Sequence, residues 1–244
     1  MDLNGNLNQK YINIDPLKEA YHESIVDNPV RIQQEKKGIV ALMCIDMQYL
    51  DAAQGYGIFA DVAKSGVPLE AQEYYFSTLR EIVLPNVNRL QDTFRERNLE
   101  VIHVRIQSLT NAGRDRSLNH KFLKIHAAPG SKEAEFLPEV SPLDDEIIIN
   151  KTASGVFNST NVNYVLNNMG IKSLFITGVY TNECVETTVR DASDRGYTVT
   201  VIEDGCTTVT KQLHEFSLAT LKDRYARVVS TEEAINEICE HVTV

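Results

Sequence analysis

The chain alternates between short apolar runs and longer stretches in which apolar residues recur every three or four positions. The first run, "IVALMCID" at 39–46, is nearly continuous and ends in a carboxylate, the pattern of a strand covered on both faces. Comparable runs follow: "EVIHVRI" at 100–106, "EIIIN" at 146–150, "SLFITGV" at 173–179, "TVTVIED" at 198–204 and "ARVVS" at 226–230. Between them, Phe76, Leu79, Val83, Val87, Leu90 and Phe94 predict a helix that Pro85 must kink or restart. Val162, Val165, Leu166 and Met169 predict another, stopped at Gly170, and Val185, Val189 and Ala192 a third, stopped at Gly196. Ser230 and Glu233 have the spacing of a capping box, opening a last helix with Ile235, Ile238 and Val242 on its apolar face.

Strand–helix alternation of this kind predicts an α/β fold, a mostly parallel sheet with helices on both faces. Residues 1–37 are polar and weakly patterned. They read as an arm over the surface or over a neighbouring subunit, or as a disordered tail, and residues 38–244 as the single domain. The segments 48–66 and 109–144 are rich in Gly, Pro and charge and follow strand ends, where an open parallel sheet keeps its active site.

Composition narrows the function. A chain of 244 residues can bury one sizeable core. Its net charge of −10 repels phosphate backbones and anionic lipid, so neither a nucleic acid nor a membrane is the expected partner, and a small molecule is. A local cluster of Arg105, Arg114, Arg116 and Lys121 could still receive a small anion. No apolar run approaches the ~20 residues that span a bilayer, and the first residues lack the pattern of a signal peptide; the cytoplasm is the expected compartment. The four cysteines, Cys44, Cys184, Cys206 and Cys239, lie far apart without a CxxC pair, which disfavours a zinc site or a disulfide framework.

Three residues stand at the ends of three predicted strands: Asp46, Lys151 and Cys184. Sheet topology would bring them to one crevice. Cys184 falls in the first turn of a helix, where free N–H groups and the helix dipole favour a thiolate and could hold an oxyanion; a cysteine used as a small buried hydrophobe is the alternative. Asp46 reads as a base for that thiol or as the cap of a turn. Lys151 reads as a charge partner for Asp46 or as a solvated side chain at a strand exit. The small residues of "TASGVF" could line a pocket with Phe157 as an apolar wall, and Arg105 and Gln107 could read a substrate amide or carboxylate or bind the loops above them.

The stretches "CIDMQ" (44–48), "INKTASGVFNST" (149–160), "GVYTNECVETTVRDASDRGY" (178–197), "EDGCTT" (203–208) and "ARVVSTEEAI" (226–235) together resemble the isochorismatase-like cysteine hydrolase superfamily. The resemblance implies a three-layer α/β/α fold around a six-stranded, mostly parallel sheet. It implies that Asp46, Lys151 and Cys184 form an Asp-Lys-Cys triad, and that a non-proline cis peptide at Val179–Tyr180 aims the Tyr180 N–H, with that of Cys184, into an oxyanion hole. Gln48, Arg105, Gln107, Phe157, Val179 and His214 complete the expected substrate contacts, although His214 could equally be a helix-surface residue. Family members usually form dimers or tetramers, so a homo-oligomer is expected.

Nicotinamidase-like members carry a metal site after the second strand. Here no histidine follows His103 closely. His120 and His126 have suggestive spacing, but Leu118 occupies the carboxylate's place. No metal and no other cofactor is expected, and those histidines read as part of a solvated loop. Members that cleave the vinyl ether of isochorismate commonly have glycine before the cysteine, where this chain has Glu183. The expected activity is therefore covalent hydrolysis of a C–N bond in a small linear amide, carbamoyl or ureido compound. Vinyl-ether hydrolysis, releasing pyruvate from isochorismate, is the alternative, and a binding protein with a silent triad is a third reading.

Overall fold

The computed structural model describes residue 15, residues 17–26 and residues 28–242. Six strands form a single sheet: β1 Val40–Ile45, β2 Glu100–Ile106, β3 Ile147–Lys151, β4 Ser173–Val179, β5 Thr198–Thr207 and β6 Arg227–Val229. Their spatial order is β3-β2-β1-β4-β5-β6, and every neighbouring pair is parallel. The order reverses between β1 and β4, and such a switch point opens a crevice at the carboxyl ends of the strands.

β1 shows why these runs are apolar throughout. All six of its residues are buried. Ala41, Met43 and Ile45 pack on one side with Leu166, Val185, Val189 and Leu218, while Val40, Leu42 and Cys44 pack on the other with Val83, Val87, Leu90 and Ile238. Side chains alternate across a strand, so a strand between two helical layers needs an apolar residue at every position. The result is the three-layer α/β/α fold.

The helices are α1 Lys18–Ile25, α2 Pro29–Lys36, α3 Leu69–Thr78, α4 Leu84–Glu96, α5 Val162–Asn168, α6 Glu186–Asp194, α7 Lys211–Leu221 and α8 Thr231–His241, with shorter helical turns between some of them. At Pro85 the expected kink takes the form of a π-helical turn, Leu79–Val83, joining α3 to α4. There the Leu84 N–H reaches back to the Leu79 carbonyl, and the widened turn accommodates a ring that cannot donate to the ladder. The Ser230–Glu233 capping box of α8 is present with both of its bonds. β5 runs three residues past the predicted "TVTVIED" because its pairing with β4 shifts register between Ile176 and Gly178 and then resumes through Gly178–Cys206 and Val179–Thr207.

The described part of the 1–37 segment lies over its own chain. The Lys18 ammonium donates to the Ala219 carbonyl at 2.5 Å, and Thr198 bonds Gln34 at 2.8 Å. Arg31 bridges Glu35 and Glu237, and His241 pairs with Glu35 at 2.6 Å, so α2 is fastened to α8. Residues 1–14 of the expected arm lie outside the described residues. Among the described residues, no helix is long and apolar enough to cross a membrane.

At Gly178 the β4 backbone passes close to that of Ile45 in β1. Its φ is +125°, and a Cβ there would stand 2.1 Å from the Ile45 carbonyl oxygen. Only a residue without Cβ fits both constraints. Gly178→Ala is expected to cost about 2–3 kcal/mol, read as a lowered midpoint in urea unfolding; an unchanged midpoint would mean that the two strands are not held this tightly.

Candidate active site

Asp46 is the first residue after β1, Lys151 the last of β3, and Cys184 lies in the π-helical turn Thr181–Val185 between β4 and α6. All three are buried. Asp46 has a φ of 55°, a left-handed turn that swings the chain off the strand. The Lys151 stem carries its ammonium from the edge of the sheet to the switch point. There Nζ stands 2.9 Å from Asp46 Oδ2 and 3.2 Å from Cys184 Sγ, and donates to the Ala153 carbonyl at 3.0 Å. The Cys184 thiol and the Asp46 carboxylate are close enough to influence each other's ionisation. Asp46 therefore caps no turn, and Lys151 is not solvated: both turn inward onto the sulfur.

The charges follow from this geometry. Burial raises the Asp46 carboxyl above its ordinary value, against the pull of Lys151 and of the thiol. Burial alone would lower Lys151, but the Asp46 charge outweighs it and holds the ammonium protonated. Burial drives the Cys184 thiol well up, Lys151 opposes it, and Asp46 and Asp51 reinforce it. The resting site is a carboxylate–ammonium pair beside a protonated thiol.

Helices hold the cysteine turn from behind. Thr188 Oγ1 donates to the Cys184 carbonyl at 2.6 Å, Ser217 of α7 donates to the Thr181 carbonyl at 3.1 Å, and His214 Nδ1 lies 2.8 Å from Thr181 Oγ1. The peptide Val179–Tyr180 is cis, as the resemblance implies. The amides of Tyr180 and Cys184 thus belong to the same short strand-to-helix connection.

Several expected substrate contacts sit elsewhere. The Gln48 amide is occupied by backbone: it donates to the Ile106 and Glu133 carbonyls at 2.9 and 2.7 Å and accepts from the Ile106 N–H at 2.5 Å, so it pins β1 to β2. Phe157 is not a pocket wall. It packs on Tyr197, at the far end of β5, with the Arg195 guanidinium over its ring. Val179 is fully buried in the core against α3 and α4. Arg105 is bound to Asn150 of β3 and to the Ala134 carbonyl of the loop above it, both at 2.8 Å. Gln107 is half-buried, its N–H on the Lys151 carbonyl. His214 lines a separate cavity of about 400 Å3 with Tyr74, Glu203 and Cys206, which holds none of the three triad residues.

Two further groups lie near the triad: His120, expected in a solvated loop, and Asp51, which sequence reasoning missed. His120 is not solvated but buried, its Nδ1 without a partner, and burial with the nearby Lys151 charge lowers its pKa to about 4. The imidazole is therefore neutral. Asp51, on the short helical turn Tyr49–Ala52, is buried beneath Tyr75 and Tyr180, both of whose hydroxyls donate to its backbone carbonyl. Among the described residues, the ligand atoms of His120 and His126 form no cluster with a carboxylate: Leu118 is exposed, and Asp115 is committed to Leu109 and Thr110. Among the described residues, the cluster Glu35, Glu237 and His241 has its ligand atoms close enough to share an ion, but Arg31 and Arg227 already neutralise it.

A buried acid, amine and thiol at the switch point of a parallel sheet, on this fold, mark a hydrolase. The model of the isochorismatase domain matches residues 40–233, and the chain belongs to the isochorismatase family. It is 31% identical over 157 residues to the uncharacterized isochorismatase family protein YddQ of Bacillus subtilis, covering 60% of this chain and 81% of that one. It is 23% identical over 160 residues to an N-carbamoylsarcosine amidase of Arthrobacter, covering 64% of this chain and 61% of the amidase. A cysteine hydrolase from Pseudomonas syringae pv. phaseolicola shares the fold, with a TM-score of 0.67 at 20% identity over 84% of this chain and 94% of that one.

Proposed function

We propose that this hydrolase is a metal-independent cysteine amidohydrolase, cleaving a C–N bond in a small linear amide, carbamoyl or ureido compound. The observation that carries the reading is the Lys151 ammonium lying between Asp46 Oδ2 and Cys184 Sγ. The amidase among its relatives acts on a carbamoyl compound by name, which supports the same class here.

Asp46 takes the thiol proton as Cys184 Sγ bonds to the substrate carbonyl carbon, and the carbonyl π pair moves to oxygen. The Tyr180 and Cys184 N–H groups donate to that oxyanion. As the oxyanion collapses, the C–N bond breaks and Asp46 passes its proton to the departing nitrogen, leaving a thioester. Asp46 then takes a proton from water as its oxygen attacks the thioester carbon. The C–S bond breaks, and the proton returns to sulfur. Throughout, Lys151 offsets whichever partner is negative, so no step places an unpaired charge in the buried site.

Ammonia or amine release from a panel of primary amides, carbamoyl amino acids and ureides tests the reading against pyruvate release from isochorismate. Turnover of a panel member is expected; turnover of isochorismate alone would favour the vinyl-ether reading. The mechanism also fixes a pH dependence. Asp46 must be ionised to accept the thiol proton, and burial raises it above its ordinary value near 3.8. For an uncharged substrate, kcat/KM is expected to fall as the pH drops, with a midpoint clearly above that value. An acid limb centred at or below it would place the titrating carboxyl in solvent.

A further inference from the structure

Asp51 is a buried carboxyl that neither the fold nor the steps above use. It is 7% exposed, and its Oδ2 is fully enclosed without a hydrogen-bond partner. Burying a polar atom unpaired costs about 1–3 kcal/mol, so such an atom calls for a partner that arrives later. The carboxyl lies close enough to Asp46, Lys151 and Cys184 to interact electrostatically with each of them. Its backbone is fixed by the Tyr75 hydroxyl at 2.8 Å and the Tyr180 hydroxyl at 3.2 Å, the second from the residue whose amide is assigned to the oxyanion hole. The Asp51 backbone is thus fixed beside the strand-to-helix connection that carries Tyr180, with the carboxyl within electrostatic range of the triad.

Resting on the amidohydrolase reading, we propose that Asp51 is a substrate-recognition residue: its carboxyl pairs with the N–H and C=O edge of the bound amide or ureide and selects uncharged substrates over carboxylate-bearing ones. Burial, reinforced by the Asp46 charge, pushes this carboxyl well above its ordinary value and so toward the protonated form, which offers one donor and one acceptor. An amide presents the complementary pair on one edge, and two hydrogen bonds close between them. Among the described residues, a substrate carboxylate at the triad would meet cations that are already engaged. Lys151 is matched by Asp46, Arg116 donates to the Gly113 and Ile125 carbonyls, and Arg105 is bound to Asn150 and Ala134.

Alkylation of Cys184 tests this without a known substrate, because iodoacetamide carries the amide edge and iodoacetate carries a carboxylate. Rates are measured by peptide mass spectrometry on the intact protein, with methyl methanethiosulfonate as a reagent that has neither group. In the wild-type protein the iodoacetamide-to-iodoacetate rate ratio is expected to exceed that of free cysteine by about tenfold, a lost hydrogen-bonded pair being worth roughly that factor. In Asp51→Ser the iodoacetamide rate, divided by the methanethiosulfonate rate, is expected to fall about tenfold, and Asp51→Asn, which keeps a donor and an acceptor, to restore it to within threefold. A wild-type ratio equal to that of free cysteine overturns the proposal, as does an Asp51→Ser ratio equal to the wild-type one or an Asp51→Asn ratio as low as that of Asp51→Ser. A Cys184 inert even to the methanethiosulfonate overturns the nucleophile reading and this inference with it. Selectivity lost while Cys184 remains reactive overturns the inference alone.

Discussion

Cys184→Ala is expected to abolish hydrolysis of whichever amide or ureide proves to be turned over, with kcat falling by at least about 10^4-fold. In the mechanism above, the sulfur is the group that forms the covalent bond. Asp46 could in principle activate water directly, but Lys151 holds it paired, and the buried site is built around the sulfur. Ammonia release, followed with enough enzyme to see a residual rate, is the measurement. The alanine variant should fold as the wild type does, since alanine fits the apolar cluster to which Cys184 belongs and the change leaves the Asp46–Lys151 pair intact. Loss of activity with an unchanged unfolding midpoint would therefore report chemistry, and retained activity would end the covalent scheme.

Lys151→Met is expected to damage stability as well as activity. Methionine replaces the stem's volume but leaves the Asp46 carboxylate buried without a cation, and breaking such a pair costs about 3–5 kcal/mol. The sign of the pH effect is fixed by the same burial. Without Lys151 the folded-state pKa of Asp46 rises further above its unfolded value. Its contribution to stability is then fully present below the unfolded pKa and lost as the pH rises through the folded one. The deficit of Lys151→Met relative to the wild type should be smallest in acid and widen toward neutrality, as read in urea unfolding at several pH values. Adding Asp46→Asn should recover much of it near neutral pH, because the buried charge goes with the carboxylate. A deficit independent of pH would mean that Lys151 acts through packing alone.

The sheet was legible because parallel strands buried on both faces leave continuous apolar runs, and each run ends close to a chemical group. Asp46, Lys151 and Cys184 could be singled out from that punctuation before any geometry was known. Side-chain direction was not legible in the same way. Phe157 follows Lys151 by six residues, but the short helical turn Val156–Ser159 carries it away from the crevice and onto Tyr197. The resemblance placed Gln48 among the substrate contacts; its role between two strands depends on Ile106 and Glu133, remote in sequence. His120 lies in a polar segment, and Asp51 in a short stretch too brief to show a period, so nothing local announces that they are buried. Tyr75 and Tyr180, from α3 and the end of β4, cover Asp51, and only tertiary structure brings them there. A polar loop folded back over an active site is the case in which composition predicts exposure and packing delivers the opposite.

The most direct test of the central claim is rapid-quench mass spectrometry during turnover, mapped to the peptide that contains Cys184. Attack by this sulfur predicts that the peptide gains the mass of the substrate's acyl group before steady state and loses it as the substrate is exhausted. Complete turnover with Cys184 unmodified at every quench time would contradict it.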